Sequence, residues 1–401
     1  MALIDFKVLP GIDKQDTASG AEFRWIDCDN TRFRYGLPEK VGGWSSLVTD
    51  TIVGVARREF AFVDLDGNRY VAIGTDKFLL IYFEGQLYDI TPLKTTLTSA
   101  TLATTNTSAI CSITTGTNHN LSVGDIVLLD TVTLPVGTGY VDADFENKLF
   151  QVTSITSATV FTITQSTAAT ATVGTGGSLS VKPYEQVGPA EQSYGYGWGI
   201  DTWSSGKWGE AASASDVSLE PGLWSLSNFG QVLVATIANG KTFTWNAGDA
   251  ARLTTRASTA TSGFETTNNP TATRITLVSP TTRHLIHLGT ETTIGDPTTQ
   301  DDMFIRFSDQ EDINDYVPTA INSAGSQRLQ DGTRIIGALK AKESILVWTD
   351  NALYTMKFIG APFTFGFEQV GTNCGLIGKN AAIEIDGMAF WMSSNGFFMF
   401  D

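Results

Sequence analysis

The sequence predicts an all-β fold, β-propeller-like, in which repeated hairpins enclose a small inserted β-domain. Three observations carry that prediction. One phrase recurs at residues 71–82, 232–245, 345–356 and 389–400: an apolar run, a turn of Thr, Asp, Asn, Ser or Gly, and a second run ending in an aromatic residue or Met. That pattern is a β-hairpin, because the turn residues supply the reversal while β-branched and aromatic side chains suit a pleated face. The last two copies begin 44 residues apart, within the roughly 40–50 residues of one propeller blade. Turn residues also recur at a spacing that suits short strands, and helical periodicity is scarce.

In chain order, three parts are expected. Residues 1–92 hold N-terminal strands, with Arg34-Tyr-Gly-Leu-Pro38 as a turn-rich connection, and then a four-stranded meander over 59–91 with turns at 66–68, 75–76 and 84–85. Residues 93–183 are rich in Thr, Ser, Ala and Val. The strand patterns at 123–129, 149–153 and 159–163 mark them as a small β-domain rather than a linker, closed by the Gly-rich stretch 170–178. Residues 184–401 return to repeated hairpins, and the gap of 113 residues between the second and third phrases leaves room for other blades or for interruptions. A short strand is read at 304–307 and one helical turn at 308–315. The chain stops on the apolar strand 397–401, a poor terminus unless it closes a sheet, so the propeller body is expected to continue in a longer chain.

Composition excludes several functions. The 42% hydrophobic content of 401 residues is that of a folded chain. No run reaches the roughly 18–20 apolar residues of a membrane helix, and the first residues lack the pattern of a secretory signal, so assembly in a cytoplasm is expected. A net charge of −16 argues against general nucleic-acid binding, which neutralises phosphates with Lys and Arg. It suits either an acidic soluble surface or one past which another polyanion slides without adhering.

Candidate chemistry is sparse. Cys28, Cys111 and Cys374 are scattered and odd in number, which points to free or buried thiols rather than disulfides or zinc. His284 and His287 lie three apart in a strand-like run, which places their rings on opposite faces and opposes a shared metal. His119 stands alone in a turn-like segment. The acidic groups Asp309, Glu311, Asp312 and Asp315, and Asp142, Asp144 and Glu146, lack the spacing of a calcium loop and read as loop charge. Gly195-Tyr-Gly-Trp-Gly199 has no strand before it or helix after it to present a phosphate. Trp198, Trp203 and Trp208, at intervals of five, fill a seam between domains or subunits, or else form a stacking platform for sugars. No catalytic, cofactor-binding or metal residue is expected, and no cofactor.

Longer phrases are more specific. Phe307-Ser-Asp-Gln310, Pro318-Thr-Ala-Ile-Asn-Ser-Ala-Gly325, Arg328-Leu-Gln-Asp-Gly-Thr-Arg-Ile-Ile-Gly-Ala338, Gly371-Thr-Asn-Cys-Gly-Leu-Ile-Gly378 and Glu384-Ile-Asp-Gly-Met-Ala-Phe-Trp391, together with the third repeat phrase and the segment 30–44, resemble the tail nozzle proteins of short-tailed bacteriophages. That family is also called tail tubular protein B or packaged-DNA-stabilisation protein. The resemblance covers 1–92 and 184–401 and leaves the Thr-rich insert outside. It implies a β-propeller subunit of a virion protein, assembled as a homo-hexamer below the tail adaptor ring, with tail fibre or needle proteins as further neighbours. Such a ring lines the terminal DNA channel, retains the packaged genome without specific binding, and lets it pass at ejection. It implies no enzyme activity. The alternative is a tail protein that binds host-surface carbohydrate through the Trp198–Trp208 segment.

Overall fold

The computed structural model describes residues 8–43, 45–46, 48, 50–189, 191, 220–258 and 269–401. Contacts divide the chain into Met1–Thr49 and Asp50–Asp401. Residues 1–92, which the sequence reading joins, are therefore split at 49/50. In the first unit β1 (Leu9–Ile12) pairs in parallel with β2 (Arg24–Trp25), and β3 (Thr31–Arg34) forms a hairpin with β4 (Leu37–Lys40). Tyr35 and Gly36 turn that hairpin with φ of 51° and 81°. Positive values at both central residues match the right-handed twist of the flanking strands.

The second unit begins with an antiparallel meander: β5 (Ala56–Val63), β6 (Arg69–Thr75), β7 (Leu79–Phe83) and β8 (Gln86–Asp89). The chain then makes a closed six-stranded barrel from β9 (Leu97–Thr104), β10 (Ile110–Thr114), β11 (Ile126–Thr133), β12 (Lys148–Ser157), β13 (Val160–Thr164) and β14 (Val173–Pro183). Alternate side chains, among them Leu102, Ile113, Val127, Leu129, Phe161 and Val181, fill its interior. Thr and Ser take many of the outward positions, which accounts for the composition of this stretch. The strands entering and leaving the barrel lie side by side: Lys94 N–H donates to the Pro183 carbonyl at 2.8 Å and Glu185 N–H to the Pro92 carbonyl at 2.9 Å.

Four more small antiparallel sheets follow. They are β15 (Trp224–Phe229), β16 (Val232–Ile237) and β17 (Thr242–Asn246); β18 (Thr273–Val278), β19 (Leu285–Thr290), β20 (Phe304–Phe307) and β21 (Gly325–Arg328); β22 (Ile335–Lys340), β23 (Ile345–Thr349), β24 (Ala352–Gly360) and β25 (Thr364–Thr372); and β26 (Ala382–Ile385), β27 (Met388–Ser393) and β28 (Gly396–Phe400). The first strands lie side by side in series: β5 on β15, β15 on β18, β18 on β22, β22 on β26. Apolar cores fill the spaces between successive sheets. Phe62, Tyr70, Leu79, Trp224 and Trp245 join the first and second, and Phe229, Val234, Val278 and Leu285 the second and third. Ile286, Ile305, Val347 and Met356 join the third and fourth, and Leu346, Trp348, Ala389 and Trp391 the fourth and fifth. Five small sheets with their first strands innermost are a propeller-like arrangement.

Each repeat phrase is the second and third strand of one sheet. Between the second and third copies lies one whole sheet, β18–β21, whose central hairpin is interrupted by residues 291–303. Two of the turns repeat in atomic detail. Thr75 Oγ1 accepts from the backbone of Lys77 and Phe78 at 3.1 and 2.8 Å, and Thr349 Oγ1 accepts from Asn351 and Ala352 at 3.2 and 2.8 Å. The next residue then reaches back to the segment that enters the same sheet. Asp76 Oδ1 accepts from Val55 N–H at 2.6 Å, and Asp350 Oδ1 from Thr333 N–H at 2.7 Å. The Thr-Asp pair of the phrase thus closes the turn and ties the sheet to its incoming strand.

The stretch 308–315 corrects one expectation. It forms a hydrogen-bonded turn rather than a helical one, because Asp309 accepts from Gln310 N–H at 2.8 Å and from Ser323 N–H at 2.7 Å, drawing the backbone toward β21. The helical elements among the described residues are two short 3-10 turns, Asp142–Asp144 and Pro297–Thr299.

Candidate functional site

The innermost strands surround a cavity of about 230 Å³. Arg58 and Phe60 come from β5, Ser225 and Ser227 from β15, Ile275 and Leu277 from β18, and Ala338 and Lys340 from β22. Strand alternation puts Arg58 with Phe60, and Ser225 with Ser227, on the same side of their strands. Lys379 enters from the connection between β25 and β26. It also lines two adjoining cavities, one of about 190 Å³ with Glu220, Arg274 and Arg334, the other of about 220 Å³ with Arg57, Glu59 and Asn380.

Charge sets this region apart from the rest of an acidic chain. In the 190 Å³ cavity the two arginines are neutralised: Arg274 pairs with Glu220 at 2.9 Å and with Asp302 at 3.1 Å, and Arg334 also pairs with Glu220. The cations of the main cavity, Lys379 among them, are not. Lys340 Nζ donates to Ser227 Oγ at 2.9 Å, and Lys379 Nζ donates to Ser225 Oγ at 2.9 Å and to the Trp224 carbonyl at 3.3 Å. Neither lysine, nor Arg58, forms an ion pair with a carboxylate among the described residues. Burial, with repulsion from Arg58 and Arg274 and partial relief from Glu220, pushes the Lys379 ammonium down to about 7. Burial and the Arg58 charge lower Lys340, and burial lowers Arg58. Each shift has the sign expected when cations are crowded where water is scarce.

The residues singled out in the sequence lie elsewhere and serve the fold. His287 lies on β19 and His284 immediately before it, and their rings meet different partners. His284 Nδ1 lies 2.7 Å from Thr282 Oγ1 and its Nε2 3.0 Å from Ser323 Oγ, against Phe307 and Phe365. His287 Nε2 lies 2.9 Å from the Tyr316 hydroxyl, and burial, then the Arg306 charge, push it down to about 3. His119 packs on Phe161 and accepts from Leu121 N–H at 2.9 Å. Asp142 and Glu146 accept backbone N–H groups of Leu134 and Val132 at 2.8 and 2.6 Å, and Asp144 that of Val141 at 2.9 Å, closing the barrel rim. Asp312 and Asp315 accept the N–H groups of Asn314 and Val317 at 2.8 and 3.1 Å, and Glu311 pairs with Arg283 at 3.6 Å. All three cysteines are free, and Cys111 and Cys374 are buried. Trp198, Trp203, Trp208 and the glycines between 195 and 199 lie outside the described residues.

Sequence reading missed Arg58, Lys340 and Lys379. The available signal was their setting. Arg58 and Lys340 alternate with the apolar residues Phe60 and Ala338 on their strands, and each belongs to the first strand of a sheet.

A second surface stands out. On the last sheet Ala382, Trp391, Phe398 and Phe400 face the core. The opposite face carries Ile383, Ile385, Phe390, Met392, Phe397 and Met399, all exposed, with Phe397 at 84%. Register places Ile383 beside Phe390 beside Met399, and Met392 beside Phe397, so the six form one continuous apolar face.

No family model and no curated protein matches this chain. Nineteen chains among solved structures do. One is a phage phi92 endosialidase, at 14% identity and a TM-score of 0.27, with 81% of this chain and 50% of that one covered. The chain spans half the length of that structure, and a likeness this distant carries nothing about chemistry.

Proposed function

We propose that the chain is a structural, non-catalytic virion protein, a subunit of a phage tail nozzle. In this reading six copies form a ring below an adaptor ring, assembled in the host cytoplasm, with tail fibre or needle proteins as further neighbours. The ring lines the terminal DNA channel, retains the packaged genome and releases it at ejection. The observation that carries the reading is the apolar face of β26–β28. A continuous patch of this kind is characteristic of surfaces that another protein covers, and here the proposed cover is the neighbouring subunit.

Two further features support it. The long phrases that resemble nozzle proteins lie mostly at strand ends and in the connections of the third to fifth sheets, with 30–44 in the first unit. The axial cavity, about 230 Å³, is large enough for a few waters at roughly 30 Å³ each and far too small for a nucleic-acid strand. The DNA path would therefore lie between subunits, where a net charge of −16 limits adhesion.

The test is mass measurement of the purified protein, followed by cryo-electron microscopy of the particle. A sixfold ring on the tail axis supports the proposal, whereas a monomer placed off that axis sinks it. The carbohydrate-binding alternative rests on Trp203 and its neighbours, outside the described residues. Glycan binding lost in Trp203→Ala particles would favour it over the nozzle.

A further inference from the structure

We infer that the axial cavity is a binding site for a small divalent oxyanion of the phosphate or sulfate type, held by Arg58, Lys340 and Lys379. The inference is independent of the nozzle reading. Three cations from three separate chain segments line one partly open cavity. Lys340 and Lys379 are half-buried and Arg58 is exposed; charges drawn even partly out of water are normally paired, yet these three have no carboxylate partner among the described residues. The acidic groups that line the adjoining cavities are committed or displaced: Glu220 is shared between Arg274 and Arg334, and Glu59 lines the 220 Å³ cavity. A bound anion would supply the missing charge.

The donors specify its class. Arg58 offers a planar fork and the lysines offer point charges, a combination suited to several oxygens on one centre. Ser225 and Ser227 accept from Lys379 and Lys340, so each hydroxyl keeps its own proton to donate to a further acceptor. A divalent anion offsets more of the three cations' charge than a monocarboxylate would. At about 230 Å³ the space is below the roughly 300–1,000 Å³ of pockets for drug-sized ligands, which excludes oligosaccharides and oligonucleotides. Such an anion would also stitch together the strands β5, β15 and β22 and the segment entering β26, locking the blades at their axis.

Lys379 makes the site pH-dependent. The groups facing it are Arg57, Arg58 and Glu59 from β5, Arg274 from β18, Arg334 and Lys340 from and just before β22, and Glu220. An anion favours the protonated amine, so binding takes up a proton and tightens as pH falls through about 7.

The experiment is isothermal titration calorimetry of the full chain with sodium sulfate, and in a second arm sodium phosphate, against sodium chloride at matched ionic strength. Sulfate keeps its charge between about pH 6 and about pH 8.5, so its pH dependence reports the protein. Expected are saturable one-site binding, tighter at about pH 6, and affinity at least about tenfold weaker in Lys379→Gln, Lys340→Gln and Arg58→Gln. Lys340→Arg keeps the charge and retains binding, which separates loss of the site from loss of the fold. Tighter binding of phosphate than of sulfate at equal charge assigns the site to phosphate, and the reverse assigns it to sulfate. No saturable heat with either anion, or equal affinity in wild type and all three Gln variants, overturns the inference.

Discussion

The Trp224 indole donates its Nε1–H to the Thr75 carbonyl at 2.9 Å while its side chain fills the space where Gly74 lacks a β-carbon. A β-carbon at position 74 would stand 2.6 Å from Trp224 Cδ1. The first residue of the second sheet therefore fits the first sheet only where side-chain volume is absent. Gly74→Ala is expected to cost about 1–3 kcal/mol through overpacking, read as a lower midpoint in urea unfolding. Trp224→Leu alone is expected to lose about 3 kcal/mol or more. Because the two residues touch, the double variant should cost less than the sum of the single ones, and strict additivity would count against this packing.

The repeated Thr-Asp turn gives a matched pair of tests. Asp350→Ala leaves Thr333 N–H without its acceptor, and Asp76→Ala does the same to Val55 N–H. Each is expected to cost about 1–2 kcal/mol. At Asp350 burial pushes the carboxyl up, but hydrogen bonds from Thr333 and Arg334 outweigh it and hold it below the usual range. The wild-type advantage over Asp350→Ala is thus present above the ordinary carboxylate pKa and lost as pH falls through the lowered folded value. Equal losses at neutral and strongly acidic pH would refute this account.

Tyr184 ties the barrel to the propeller. Its hydroxyl donates to Asp89 Oδ2 at 2.6 Å and accepts from Arg256 Nη2 at 2.7 Å, while Arg256 Nη1 reaches Asp89 Oδ2 and the Thr91 carbonyl, each at 3.0 Å. Tyr184→Phe leaves both partners short of one bond, for a loss of about 1–3 kcal/mol. Limited proteolysis should then cut more readily near residues 93 and 185, with cleavage inside the barrel unchanged. Unchanged cutting at those two positions would show that the network does not hold the barrel.

On the last sheet, Phe397→Asp combined with Met399→Asp places charge on the exposed face and leaves the core face intact. The variant should keep a wild-type circular dichroism spectrum and fail to form higher assemblies by mass photometry. Retention of the ring would remove that face from the assembly interface.

His287 gives a prediction in acid. Its folded pKa, about 3, lies below the ordinary 6.5, so the unfolded chain binds the extra proton between those values. Stability is therefore lost progressively as pH falls from about 6.5 toward about 3. The groups packed against the ring are Arg306 and the Tyr316 hydroxyl. His287→Gln keeps a side chain able to meet Tyr316 but does not titrate. The variant should be less acid-sensitive than wild type in this window, by on the order of a few kcal/mol. Parallel pH profiles of the two proteins would refute the assignment.

Much of this architecture was legible in the sequence because hairpins are local. An apolar run, a Thr-Asp or Asn-Gly turn and another apolar run fall within about a dozen residues, and each phrase is indeed one strand pair. The third sheet escaped that pattern because residues 291–303 lie between its central strands and dilute the phrase. The inserted β-domain was legible in the strand patterns at 123–129, 149–153 and 159–163, whereas its closure into a barrel depends on pairings between distant strands. The turn at 308–315 was misread since Asp309 bonds to Ser323, a partner that strand order alone brings near. The axial cations were illegible for the same reason on a larger scale. Arg58 is separated from Lys340 and Lys379 by most of the chain, and only the stacking of one sheet on the next brings the three together.

The paired strands at the base of the barrel bear on how the chain closes its loops. Lys94 with Pro183, and Glu185 with Pro92, pin the two ends of the insert to each other. The entropy of closing that long excursion is thereby met within the barrel itself, and the propeller experiences it as a short connection. A domain held this way is expected to accept changes of length in its own loops with little effect on the register of the blades.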